Sequence, residues 1–465
     1  MLDHLIILVY LSIVLYMGYA SRKLGSFREF AVSHGNYGWL AIFCTLSASF
    51  IGGGFSTGNA AKVFSSGLAY PLALMGFSLQ IMLVACFVAP RMHRFPGAIS
   101  VGDLMEPAYG RRARVITGIF SMLICAGILG AQIGAMGAIF KVFLGIPPLL
   151  GILIGAGIVF FYSTLGGMAA VVRTDILQFW LIILGIPLVF IFGVAEVGGW
   201  AAFVAGIPAS HLEIIGEQRS LLSFLSLFLV FMFGETLVPP YLQRLLLGRS
   251  ASDTAKGNFW SAVVSVPFFL IAGAIGLVAL QLDPGLQANL ALPEVVRRVM
   301  PVGLAGLIIA GVLSIVMSSA DSFLNASSVA LVQDVTRPLR RTPLDERQAL
   351  NIARLGNLLT GVLALLFALL IPNVLDILVA AYDYWAPSIL VPLVAVLMGW
   401  RTTPAAFYAA VAAGVGGTLV WQYVLQSPGQ IQGFVVGTLL NLVVFTLATR
   451  FGALPATQPA RSGGE

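Results

Sequence analysis

The stretch Cys44-Thr-Leu-Ser-Ala-Ser-Phe-Ile-Gly-Gly-Gly-Phe-Ser-Thr-Gly58 lies in the middle of an apolar run. Gly52, Gly53 and Gly54 are consecutive poor helix formers, so the pattern predicts a helix broken near its centre. A break takes backbone carbonyls out of the helical ladder. At membrane depth such carbonyls are tolerated only where protein, water or an ion satisfies them, which makes the stretch a candidate binding site. The plainer reading is a slim helix whose small residues let neighbours pack closely.

The rest of the chain sets the medium. Its 465 residues are 59% hydrophobic and only 9% charged, and the mean hydropathy is +0.97, well outside the range of a soluble domain. Apolar runs of spanning length recur at 3–20, 38–60, 68–90, 115–141, 147–166, 174–196, 221–244, 259–281, 302–332, 352–371, 376–398, 404–425 and 432–449. This predicts an all-α integral membrane protein with thirteen transmembrane helices, and not a β-barrel. The first span has no small-residue cleavage site after it and reads as a retained helix. No soluble domain is expected: the longest polar connection runs from Gln333 to Arg354, and the segment after Phe451 is a short cytoplasmic tail.

The net charge of +6 is not a nucleic-acid signature, because its distribution follows the membrane. Taking the loops in alternation, 20 of the 25 basic residues fall on one side, among them Arg91, Arg111, Arg173, Arg249 and Arg340. By the positive-inside rule that side is cytoplasmic, which places the N-terminus outside and the C-terminus inside a plasma (cytoplasmic) membrane. The odd helix count agrees with termini on opposite sides. Cys44, Cys86 and Cys125 lack metal-type spacing, His4, His34, His93 and His211 fall near span ends or in loops, and no hydrolytic or redox constellation is visible. The chain therefore does not read as an enzyme.

Ionisable residues inside spans are costly and therefore informative. Four acids sit at plausible depth: Asp175, Glu235, Asp321 and Asp383. Asp175 follows Arg173 at the expected cytoplasmic mouth of its span, where it is either an interfacial cap or a functional group. Asp321 lies in Ile315-Val-Met-Ser-Ser-Ala-Asp-Ser-Phe-Leu-Asn325, where Ser318, Ser322 and Asn325 follow helical spacing and the carboxylate sits beside them. Serines alone would suit interhelical hydrogen bonding; a carboxylate among them argues for a bound cation. Glu235 in Phe233-Gly-Glu-Thr-Leu-Val-Pro-Pro-Tyr241 precedes Pro239 and Pro240, which are expected to end or kink the same helix just after it. Two interrupted helices five spans apart are the pointer expected of an inverted-repeat transporter.

These residues resemble the sodium:solute symporter family nearly end to end. Gly166-Gly-Met-Ala-Ala-Val-Val-Arg-Thr-Asp-Ile-Leu-Gln178 is similar to the family's Thr-Asp-x-x-Gln signature, and Tyr241-Leu-Gln-Arg244 to its Gln-Arg ending of the sixth core helix. The runs Phe50-Ile-Gly-Gly-Gly-Phe55 and Val316-Met-Ser-Ser-Ala-Asp-Ser322 look most like the choline-transporter branch. The resemblance implies a five-plus-five inverted-repeat core. The first repeat would be 36–200 and the second 221–400, with 1–30 an extra N-terminal helix, 401–450 two C-terminal helices and 451–465 the tail. It implies a main sodium site from the carbonyls of Ala48, Ile51 and Ile315 and the hydroxyls of Ser318 and Ser319. A possible second sodium site would use Asp175, Ser318, Asp321 and Ser322, with sodium or a proton as occupant. Substrate contacts would be Gly52, Phe55, Phe50, Gln132 and Glu235, with Tyr382 and Tyr384 added on geometry.

The expected function is sodium-coupled import of a small polar organic solute, an amine, amino acid or carboxylate, by alternating access. Leu72, Leu74 and Met75 stand where sugar carriers place polar groups, so a sugar is disfavoured. Val238 stands where the choline branch has tryptophan, so Glu235 is left to counter a cationic or zwitterionic solute. The alternatives are a membrane-embedded solute sensor and a proton-coupled transporter on the same fold. The expected partners are the solute, sodium and the lipid bilayer, with no nucleic acid and no obligate protein partner.

Overall fold

A computed structural model of the chain describes residues 2–20, 26–33, 36–216, 219–371, 373–383 and 385–451; the side chains of 18, 20, 161–166 and 315 lie outside the description. Among these residues every element is helical apart from an isolated bridge between Tyr37 and Gly248. Among the described residues nine helices are long and apolar enough to cross a membrane, or ten if one bent pair counts as a single span, and three shorter apolar helices accompany them. Large exposed side chains such as Leu8, Leu184, Leu358 and Val443 form an outward-facing apolar surface. Such a surface would be costly in water and is suited to lipid.

The bent pair is the stretch around the three glycines. Helix α1 (Trp39–Phe50) meets α2 (Gly54–Ser66) at 59°. Two glycines are required here by close approach rather than by φ. A Cβ on Gly52 would lie 2.7 Å from the Gln132 amide nitrogen and 2.8 Å from Ser319 Oγ, and one on Gly53 would lie 2.5 Å from the Cβ of Ala135. Any side chain at either position would force these helices apart.

Helix α3 (Arg111–Leu144) carries Gln132, and α4 (Gly167–Glu196) holds the signature residues. Helix α4 continues from Pro148–Phe160 through a bend at Gly167 (φ 58°), a backbone conformation that favours glycine. Asp175 therefore sits eight residues inside α4, about 12 Å along its axis. Of the two readings left open for Asp175, its full burial within the bundle favours a functional group over an interfacial cap.

A second interruption lies between α5 (Leu221–Phe233) and α6 (Pro239–Leu245), with Leu237 at φ 56°. Here the sequence reading is corrected in detail. The break precedes Pro239 and Pro240, which open α6 instead of ending α5. Proline suits the first turn of a helix, where its missing N–H has no helical acceptor to lose. Helix α7 (Leu304–Leu339) carries the serine face and packs against both α3 and α4.

Candidate functional site

The break in α1–α2 changes which carbonyls are used. Continuing the helix would bond the Gly52 N–H to the carbonyl of Ala48; instead it donates to the carbonyl of Phe50 at 2.6 Å. Ala48 and Ile51, both fully buried, sit at this end of the ladder. Ser318 and Ser319 face it from α7, and Ser319 Oγ donates to the carbonyl of Ser49 at 2.8 Å. Ile315 lies on the same helix one turn before Ser318 and Ser319; its side chain lies outside the description, so only its backbone can be placed. The predicted main-site residues thus come together from two elements far apart in sequence. Their donors are neutral oxygens, the chemistry suited to a hard monovalent cation that must also be released.

Beside them lies a charged group that the sequence reveals only in part. Asp175 Oδ1 accepts from Ser318 Oγ, and its Oδ2 accepts from Thr45 Oγ1 and lies 3.3 Å from Arg244 Nη2. Arg244, on the last turn of α6, is fully buried. Its Nη2 also donates to Ser322 Oγ at 2.5 Å and its Nη1 to the carbonyl of Pro240 at 3.1 Å. Ser322 Oγ is 2.8 Å from the carbonyl of Ser318 and 3.1 Å from Ser49 Oγ. Asp321 is buried on the same helix. Four elements, α1, α4, α6 and α7, are therefore joined through a buried ion pair and the hydroxyl and carbonyl groups around it.

The predicted solute residues gather around the same break. Gln132 Oε1 accepts the Gly53 N–H at 2.6 Å. Glu235, buried in the second interruption, accepts from Tyr241 Oη and from Tyr382 Oη, the latter at 2.9 Å. Trp385 Nε1 donates to the carbonyl of Thr236, tying this interruption to the segment that carries Tyr382. Tyr384 lies outside the described residues.

Phe50 and Phe55 belong to an aromatic cluster that the sequence did not disclose. Phe55 lies 4.8 Å from Phe77, 5.3 Å from Phe269 and 6.1 Å from Phe231, centroid to centroid, and Phe50 lies 5.1 Å from Phe77. Phe77, Phe231 and Phe269 come from three different helices, and with 31 phenylalanines in the chain no local pattern marks them. The space enclosed by Phe50, Gly52, Phe55, Gln132, Glu235 and Tyr241 is too small to hold a water molecule, so the conformation is closed at this depth.

Ionic ties lie further out in the bundle. Lys62 Nζ lies 2.8 Å from Asp376, and at the other end Arg114 joins Asp103, Glu106 and the buried Asp334. An apolar groove of about 400 Å³ between Phe87, Met232, Val394 and Leu442 shares none of the enclosing residues.

Comparison with known proteins identifies relatives of the chain. The chain is 25% identical over 394 residues to the high-affinity choline transporter 1 of Drosophila melanogaster, covering 79% of this chain but 62% of that one. It is 24% identical over 491 residues to the sodium/proline symporter of Staphylococcus aureus, covering 98% and 94%. Among solved structures, a substrate-bound outward-open Na+-coupled sialic acid symporter superposes with a TM-score of 0.82 over 98% of both chains at 18% identity, which shows a shared fold. These relatives are transporters and not enzymes. A profile of the sodium:solute symporter family matches residues 30–414, and the chain belongs to that family.

Proposed function

We propose that the protein imports a small cationic or zwitterionic organic solute, coupled to sodium, by alternating access. The observation that carries this reading is the break at Gly52. It takes the Ala48 carbonyl out of the helical ladder opposite Ser318 and Ser319, while the same break donates to Gln132 on the solute side. Sodium held by Ala48, Ile51, Ile315, Ser318 and Ser319 would clamp the broken helix to α7. A solute between Phe50, Gly52, Phe55, Gln132, Glu235 and Tyr382 would touch the other face of that helix. Both ligands then favour the same conformation, and each raises the affinity of the other. A membrane potential negative inside adds about 2.3 kcal/mol per charge per 100 mV to uptake.

The same reading includes thirteen spans, obtained by adding Leu2–Met17, Pro148–Phe160 and Leu221–Phe233 to the longer helices, with the N-terminus outside. It includes two inverted repeats, 36–200 and 221–400, flanked by 1–30, 401–450 and 451–465. The two interruptions, each at the same order within its half, support that arrangement. Glu235 favours an ammonium-bearing solute over a simple carboxylate, because its carboxylate is held by two phenol hydroxyls and is available to a cation.

The test is uptake of labelled choline, proline and related amines into proteoliposomes with an inward sodium gradient or with potassium in its place. The reading expects uptake of at least one of them in sodium only, and loss of it in Ser319→Ala. Equal uptake in both salts would overturn it.

A further inference from the structure

We propose that Arg244 is a built-in cation occupying the second ion position, so that each chain binds one sodium ion, at the break, and not two. The inference rests on the sodium-coupled reading and fixes its stoichiometry. Asp175, Ser318 and Ser322, three of the four side chains that would form a second sodium site, are already engaged around the guanidinium. Arg244 Nη2 lies 3.3 Å from Asp175 Oδ2 and 2.5 Å from Ser322 Oγ. The remaining carboxylate oxygen accepts from Ser318. Sodium needs lone pairs, and both Asp175 oxygens and Ser322 Oγ already accept from hydrogen donors.

The guanidinium is also not free to leave. It is fully buried on the last turn of α6, and its Nη1 is held by the Pro240 carbonyl at 3.1 Å. A guanidinium keeps its charge even when buried, so a sodium at Asp175 would sit against a fixed positive group in a low-dielectric interior.

Equilibrium binding of radioactive sodium to the purified full-length protein tests this with sodium alone as the probe. Wild type is expected to bind one ion per chain without cooperativity. Arg244→Gln is expected to bind two, and Asp175→Asn combined with Arg244→Gln to return to one. Two ions bound by wild type, with one lost in Asp175→Asn, would overturn the inference. So would a folded Arg244→Gln that still binds only one. Should Arg244→Gln fail to fold, the wild-type count decides alone. No sodium bound by wild type would instead overturn the sodium-coupled reading itself, and is distinguishable from the other outcomes.

Discussion

Asp175 and Glu235 are two buried carboxylates near the same broken helix, and they are treated differently. Asp175 faces a guanidinium and two hydroxyls. Glu235 faces the hydroxyls of Tyr241 and Tyr382, and among the described residues no cationic side chain pairs with it. A buried charge is tolerated when it is paired and hydrogen-bonded. Asp175 meets that condition from within the chain and so acts as a permanent tie between helices. Glu235 meets only the hydrogen-bonding half, so a positively charged ligand would complete it. On the function proposed above, the contrast separates a group that holds the fold from one that selects a passenger.

The comparison is broken most severely at Glu235. Replacing it with glutamine keeps the size and the acceptor oxygen while removing the charge. The expected loss in uptake of an ammonium-bearing solute is about 2–5 kcal/mol, roughly thirtyfold to several thousandfold, the cost typical of removing one partner of a buried charge pair. Sodium binding should be retained, which a general disruption would not allow.

Asp175→Asn tests the other half. It leaves Arg244 buried without its counter-ion, and the expected destabilisation is about 3–5 kcal/mol, read as a lowered unfolding temperature in detergent. Adding Arg244→Gln should recover part of that loss, because the double variant has no orphaned charge. If Arg244→Gln instead adds its own penalty in full, the two residues are not a functional pair.

A third carboxylate, outside the spans, sharpens the contrast by mattering least. Glu294 on the short helix Ala291–Val299 accepts from Arg297 Nε and Arg298 Nε, both at 2.8 Å. The hydrogen bond from Arg297 is the main reason its carboxyl is held below the usual range. A lowered folded value contributes stability above the unfolded value, which is lost as pH falls through the folded one. The pair is partly exposed and screened by salt, so the contribution is at most about 1 kcal/mol. Glu294→Gln should lower the unfolding temperature slightly at neutral pH and leave it unchanged well below about pH 4.

Much of the site was legible because its chemistry is rare at membrane depth. Three glycines inside an apolar run, and Ser318, Ser319, Asp321 and Ser322 in another, cost more than lipid-facing packing alone would tolerate. The close approach of Gly52 to Gln132 and Ser319 gives the glycines their physical reason. What was missed depends on distance in sequence. Arg244 was visible as part of a motif, but its pairing with Asp175, 69 residues away, follows from the crossing of α4 and α6 and from no local rule. The sequence left Asp175 open between cap and functional group because Arg173 suggests a span end, while the helix continues through Gly167 in space. Phe77, Phe231 and Phe269 are ordinary apolar residues until three helices bring their rings around Phe55.

The most direct test of the central claim is a thermal-unfolding screen of wild type and Glu235→Gln against choline, proline and neutral analogues lacking the ammonium, each in sodium and in potassium. The account predicts stabilisation of wild type by an ammonium-bearing solute in sodium only, and its disappearance in Glu235→Gln. Equal stabilisation of both proteins by the same solute, or stabilisation by the neutral analogues alone, would contradict it.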